Sequence, residues 1–182
     1  AGVTRGAVYW HFQNKAHLFH EMLNQVLLPL EPLAQRLAEI DGPSSIQLLR
    51  DLCIEAMATL VLDEQRRRIL TVLLRRCEFT EELREAEERH ETFVNQFIDL
   101  CEQQFALSTV QPYLQPGITP RLASRTLHAL LVGLFSDWLR DPTLFDPLSE
   151  ARVLIDACFR GLIRDWAAST PCAKAPLPHG DD

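Results

Sequence analysis

The residues best suited to chemistry stand at the start of the chain. Between Ala1 and Lys15 the sequence offers Thr4, Arg5, Gly6, Tyr9, His11 and Lys15. Thr4 can cap a two-turn helix over residues 5–11, about 12 Å long. Ala7, Val8 and Phe12 face inward on it, while Arg5, Gly6, Tyr9 and His11 face out. A glycine inside a helix costs about 1 kcal/mol relative to alanine. Its benefit is close approach of the backbone to another surface. This set can recognise a surface; it cannot make or break bonds.

Bond-making sets are missing elsewhere. No Gly-rich phosphate loop, no Gly-x-Ser-x-Gly and no His-Glu-x-x-His occurs. His90-Glu91 lacks the second histidine of a zinc helix, so His90 reads as a partly buried polar residue. His128, Ser136 and Asp137 share a helix, but Asp137 lies nine residues from His128 and faces another way. Arg66, Arg67 and Arg68 stand near a helix start, the wrong end for its dipole. They read as a solvated or salt-bridged face, held by acidic neighbours or by another element, with a nucleic-acid patch as the alternative. The chain is read as a non-enzyme.

Its 182 residues, 47% of them hydrophobic, suffice to bury a core. No apolar run reaches the ~18 residues of a membrane span, and no signal peptide is visible. Cys53, Cys77, Cys101, Cys158 and Cys172 form no Cys-x-x-Cys pair, so they read as reduced thiols of a cytoplasmic protein. A net charge of −7 argues against a body that coats nucleic acid, yet leaves room for a small DNA-reading head.

The periodicity supplies an all-α scaffold. Asn14 caps a helix carrying Ala16, Phe19, Leu23 and Val26, which Pro29 and Pro32 end or kink. Leu33, Leu37 and Ile40 continue the pattern to a break at Asp41-Gly42-Pro43. Ser44 or Ser45 caps the next helix, which runs to about Leu62 with Leu48, Leu49, Leu52, Cys53, Ala56 and Leu60 inward. Asp63 caps a helix with Ile69, Leu70, Leu73, Leu74 and Cys77 inside. Thr80-Glu81-Glu82 starts an amphipathic helix bearing Leu83, His90, Phe93, Phe97, Cys101 and Phe105. After a loop, Thr119 caps and Pro120 opens a helix that is apolar nearly all round. That pattern predicts burial on most faces. A last helix over about residues 148–166 has a stripe wider than one neighbour needs. Together the last two helices predict packing against a second copy, with Leu154 and Phe159 at the contact. Residues 167–182 read as a disordered tail.

Residues 1–19, with Tyr9-Trp10-His11-Phe12 followed by Asn14 and Lys15, resemble the helix-turn-helix of TetR-family transcriptional repressors. They look most like the branch that represses multidrug efflux pumps (the AcrR, TtgR and SmeT type). Residues 62–69 with 76–80, then Gly133-Leu134, Trp138-Leu139 and Asp141-Pro142, extend the likeness over most of residues 1–166. The resemblance implies a TetR-like, all-helical homodimer. Residues 1–28 would be the C-terminal part of the DNA-binding head (recognition helix and linking helix), and residues 29–166 the ligand-binding and dimerisation domain. A reading helix needs a helix before it as a brace. The chain begins at Ala1 without one, so an N-terminally truncated fragment is expected.

By the same resemblance Thr4, Arg5, Gly6, Tyr9, Trp10, His11 and Lys15 fall where the family contacts a pseudo-palindromic operator in its major groove. Arg5 suits guanine O6 and N7. Tyr9 and His11 can donate to phosphates, and Lys15 with the amides beside it can hold another. Trp10 serves equally as a core aromatic bracing the head. The implied ligand pocket takes Leu49, Leu52, Cys53, Ala56, Leu70, Leu74, Phe93, Phe97, Cys101, His128, Leu131, Val132 and Phe135, each of which could equally be plain core. Several relatives carry polar groups where this chain has Leu70, Leu74 and Val132. A drier pocket follows, suited to flat apolar or aromatic effectors, with His128 as the polar handle. No metal or cofactor is implied. The expected function is repression of a multidrug efflux operon, relieved by hydrophobic drug-like ligands, with the kinked helix after the head as the lever. The alternative is a dimeric helical carrier or sensor of hydrophobic molecules without a DNA role.

Overall fold

The computed structural model describes residues 14–26, 30–40, 42–75 and 83–167. Seven α-helices lie among the described residues: α1 (Lys15–Val26), α2 (Leu30–Ala38), α3 (Pro43–Leu62), α4 (Glu64–Arg75), α5 (Arg84–Phe105), α6 (Pro120–Arg140) and α7 (Glu150–Leu162). One 3-10 turn spans Gln111–Tyr113. The all-α reading holds. The expected helix at residues 5–11 with its cap Thr4, Pro29, the helix start at Thr80 and the tail from residue 168 lie outside the described residues.

Several helix starts follow from side-chain caps. Asn14 Oδ1 accepts from the His17 amide at 2.7 Å. Asp63 Oδ1 accepts from the Arg66 amide at 2.8 Å. Thr119 Oγ1 accepts from the Leu122 amide at 3.2 Å, with Pro120 opening α6. Each satisfies an amide that has no partner in the helix's own ladder. The start of α3 differs from expectation, because neither Ser44 nor Ser45 caps it. Gly42 does so at φ 76°, ψ −155°, a backbone conformation open to little but glycine. The Ser45 hydroxyl instead donates to the Gly42 carbonyl at 3.0 Å. Pro32 sits in the first turn of α2, where its missing N–H is not needed.

The last helix is shorter than its apolar pattern predicts. It ends at Leu162 because the chain turns to meet the segment around Leu114. Gln115 N–H donates to the Leu162 carbonyl at 2.9 Å, and Arg164 N–H to that of Tyr113 at 2.7 Å. Beyond this bridge Trp166 stacks on Phe159, with centroids 4.9 Å apart.

The main core joins α2, α3, α5, α6 and α7. The buried stripe of α3 is Ile46, Leu49, Cys53, Met57 and Leu60; Leu48, Leu52 and Ala56 form its half-buried flank. Arg50 lies in the same interior. It donates through Nε and Nη2 to Asp156 of α7, both at 2.7 Å, and through Nη1 to Asp51 at 2.5 Å. Phe159 is fully buried in this core, so it is a packing residue of the single chain and not an exposed contact for a second copy. Nor is α6 covered all round. Ala123, Leu127, Leu131, Leu134 and Trp138 face inward, but Leu122 and Val132 are exposed.

A smaller cluster stands apart: Phe19, Leu23 and Val26 of α1 against Leu73 of α4 and Leu83, just before α5. The three arginines at the start of α4 divide their roles. Arg66 Nε lies 3.8 Å from Asp63 and Arg68 Nη2 2.5 Å from Glu64, while Arg67 sits over the Trp138 ring, 6.0 Å from its centroid. No helix among the described residues is long and apolar enough to cross a membrane.

Candidate ligand site

The face that α5 turns to its neighbours repeats at helical spacing: His90, Phe93, Phe97 and Cys101. Opposite stands α6, with His128, Leu131 and Phe135. The Phe97 and His128 rings lie 6.5 Å apart, tilted by 50°. Leu49 and Cys53 of α3, Cys101 and Leu131 are buried in the main core, and Leu52, Leu70, Phe97 and Phe135 pack against it. Ala56 and Phe93 are half-buried on α3 and α5. The fold thus gathers most of the residues assigned to the pocket around one apolar interior.

Two assigned positions fare differently. Val132 is 46% exposed. It follows Leu131 directly, and the helical step of about 100° per residue carries it out of the buried stripe; the expected inward position is corrected. The Leu74 side chain lies outside the described residues. So do the DNA contacts assigned to Thr4, Arg5, Gly6, Tyr9, Trp10 and His11, and the side chain of Lys15, which opens α1.

Two histidines stand among the aromatic residues of α5 and α6, in addition to the buried Arg50–Asp156 pair and Gln104. His90 is half-buried, and its Nδ1 is enclosed with no hydrogen-bond partner. Burial lowers the His90 pKa, against the opposing pull of Glu91. Burial also lowers that of His128, with Arg125 and His90 adding to the effect. Both rings are therefore neutral at neutral pH, and a neutral imidazole offers one donor and one acceptor. An enclosed ring nitrogen without a partner is costly and fits a group supplied from outside the chain. His90 was legible only as a polar residue on an inward face. Its spacing of seven from Phe97 is the signal that would have assigned it to the site.

Cys53 and Cys101 are buried in the main core. Burial pushes Cys101 up to about 12 and Cys53 well above the ordinary thiol value. Thiols so shifted carry almost no thiolate at neutral pH. They line the interior as small apolar groups.

The interior is joined to α1 through Leu70. This α4 side chain packs against both the main core and the smaller cluster that holds Phe19, Leu23 and Val26. Polar contacts reinforce the link. Gln65 Nε2 donates to Gln25 Oε1 at 2.8 Å, and Arg89 of α5 donates to His20 and Asn24 of α1.

Comparison with known proteins agrees with this architecture. Residues 44–164 match the MAATS-type transcriptional repressor C-terminal region, and residues 1–22 match the bacterial regulatory proteins of the tetR family. The solved structure of NalD, the secondary repressor of the MexAB-OprM multidrug efflux pump in Pseudomonas aeruginosa, is 62% identical. It superposes with a TM-score of 0.82 over 91% of this chain and 82% of its own. The regulator TtgR of Pseudomonas putida is 31% identical over 86% of this chain and 74% of its own length. A complex of SmeT, the repressor of the Stenotrophomonas maltophilia pump SmeDEF, with triclosan is 26% identical. Its TM-score is 0.74, over 98% of this chain and 85% of that one. The chain belongs to the TetR family of bacterial transcriptional regulators, as a repressor of the MAATS type.

Proposed function

We propose that the chain represses a multidrug efflux operon and leaves its operator when an apolar aromatic effector enters the interior between α3, α5 and α6. The observation that carries this reading is the double contact of Leu70. A ligand that displaces the main-core side of Leu70 moves the side that supports α1. The helix α1 follows directly on the segment assigned to DNA reading, in which Arg5, Tyr9 and their neighbours contact bases and phosphates. Effector and operator then favour different settings of α1, and each weakens the other's binding by the same factor. His90 and His128 supply the few hydrogen bonds of an otherwise dry site.

The protein acts in this reading as a cytoplasmic homodimer joined through α6 and α7. Leu122, Val132, Val153 and Leu154 present apolar surface on those helices. Gly133 and Gly161 meet nothing within 4 Å where a side chain would stand. Exposed helical glycines cost about 1 kcal/mol each, and close approach of a second helix is a reason to keep them. The head is assigned to residues 1–28 and the binding and dimerisation domain to residues 29–166.

A mobility-shift titration on the protein's own promoter DNA, with triclosan as the apolar aromatic probe, tests the mechanism. Release of DNA in step with triclosan binding is expected. Triclosan bound to saturation by calorimetry with operator affinity unchanged would overturn it.

A further inference from the structure

A cleft of about 360 Å³ opens at the surface where α4 meets the C-terminal end of α6, away from the histidine-bearing interior. Arg67, Arg68, Val72, Trp138, Leu139 and Pro142 line it, and no residue of the interior site contributes. We propose that this cleft is a second small-molecule site, taking a planar aromatic anion such as an aryl carboxylate.

Three features select that ligand class. The base is fixed, because Trp138 is only 5% exposed and belongs to the main core, and its ring seats the Arg67 guanidinium rather than the ligand. Val72, Leu139 and Pro142 make the walls apolar. The charge is cationic and partly uncommitted: Arg66 and Arg68 have carboxylate partners in Asp63 and Glu64. Among the described residues Arg67 has none, and its guanidinium lies over the Trp138 ring. A carboxylate can accept two parallel hydrogen bonds from such a group while its ring covers the apolar walls. The volume lies near the lower end of the roughly 300–1,000 Å³ range of ligand pockets, which suits one or two fused rings. A neighbouring cleft of about 350 Å³ shares Trp138 and Pro142 but contains Asp146 and Glu150. Those carboxylates accept hydrogen bonds at the start of α7. An anion is therefore drawn to the arginine end.

This site does not depend on the repressor reading, and its test separates the two. Calorimetric titration of the full chain, preloaded with triclosan to occupy the interior, should show saturable binding of 1-naphthoate. The uncharged 1-naphthalenemethanol should bind at least about tenfold more weakly, the loss of one charge-assisted contact. Arg67→Gln should weaken naphthoate by a similar factor and leave the alcohol unchanged. Phe97→Ala, in the interior site, should leave naphthoate affinity intact. Equal binding of acid and alcohol, a silent Arg67→Gln, or loss on Phe97→Ala instead would each overturn the proposal, as would no saturable binding.

Discussion

Arg89 of α5 donates from one guanidinium nitrogen to the His20 ring and from the other to the Asn24 side-chain oxygen, both on α1. The two acceptors are four residues apart, one helical turn, so a single planar group fixes both the rotation and the height of α1. The cluster around Leu23 and Leu73 supplies the apolar part of the same joint.

Replacing Arg89 with alanine should therefore loosen α1 more than it destabilises the fold. We expect a stability loss of about 1.5–3 kcal/mol, typical of hydrogen bonds from a charged group. Operator affinity should fall several-fold, with effector affinity in the interior site retained. Arg89→Lys should recover little, since a lysine cannot span both acceptors as a rigid fork. Urea denaturation and mobility shift on the same variants check this. Full operator affinity in Arg89→Ala would remove the residue from the coupling.

The interior histidines predict an acid limit. In the folded chain burial holds His90 and His128 below the ordinary value of 6.5, and in the unfolded chain both return to it. The unfolded chain then binds protons first as pH falls. The stability from the neutral rings is complete above about pH 6.5 and is lost as pH drops through the lowered folded values. Urea midpoints measured from about pH 7 down to about pH 5 should decline, and His90→Gln with His128→Gln should flatten that decline. An identical slope in the double variant would show that other groups set it.

Arg50 and Asp156 are buried together, so removing one partner strands the other's charge. Arg50→Ala should cost about 3–5 kcal/mol, and Asp156→Asn should be strongly destabilising too. The double change Arg50→Met with Asp156→Leu should restore most of the loss, because an apolar pair needs no mutual compensation. Chemical denaturation of the three variants decides it. A double variant as unstable as Arg50→Ala would point to Asp51 or to a packing fault.

That pair also marks where the sequence stops being legible. Caps at Asn14, Asp63 and Thr119 are local, each side chain reaching an amide three residues on, and the residue types alone announced them. Arg50 breaks the apolar pattern of α3 and finds its partner 106 residues away, which no periodicity reveals. The same holds for Gly42, whose role depends on a backbone angle, and for Phe159, whose type fits an interface or a core equally well. In the interior the spacing of apolar residues is enough to turn Phe97, Cys101 and Leu131 inward. The rotation that turns Val132 out of the same stripe became visible only with the helix packed.

Val132 leads to the last prediction. With Leu122 on α6 and Val153 and Leu154 on α7, it presents apolar surface that stays exposed among the described residues. Val153 is 61% exposed and Phe159 is fully buried, so Phe159→Glu would unfold the chain and report nothing about assembly. Val153→Glu and Leu154→Glu place a charge on the face without disturbing the core. Each should keep the helical circular dichroism of the fold, with the midpoint lowered only by the lost association and no longer dependent on protein concentration. In sedimentation velocity each should shift the protein from dimer to monomer. Operator affinity should fall with dimerisation, since two reading helices about one turn of DNA apart are needed for a pseudo-palindrome. Retained dimers in both variants would move the interface off α6 and α7.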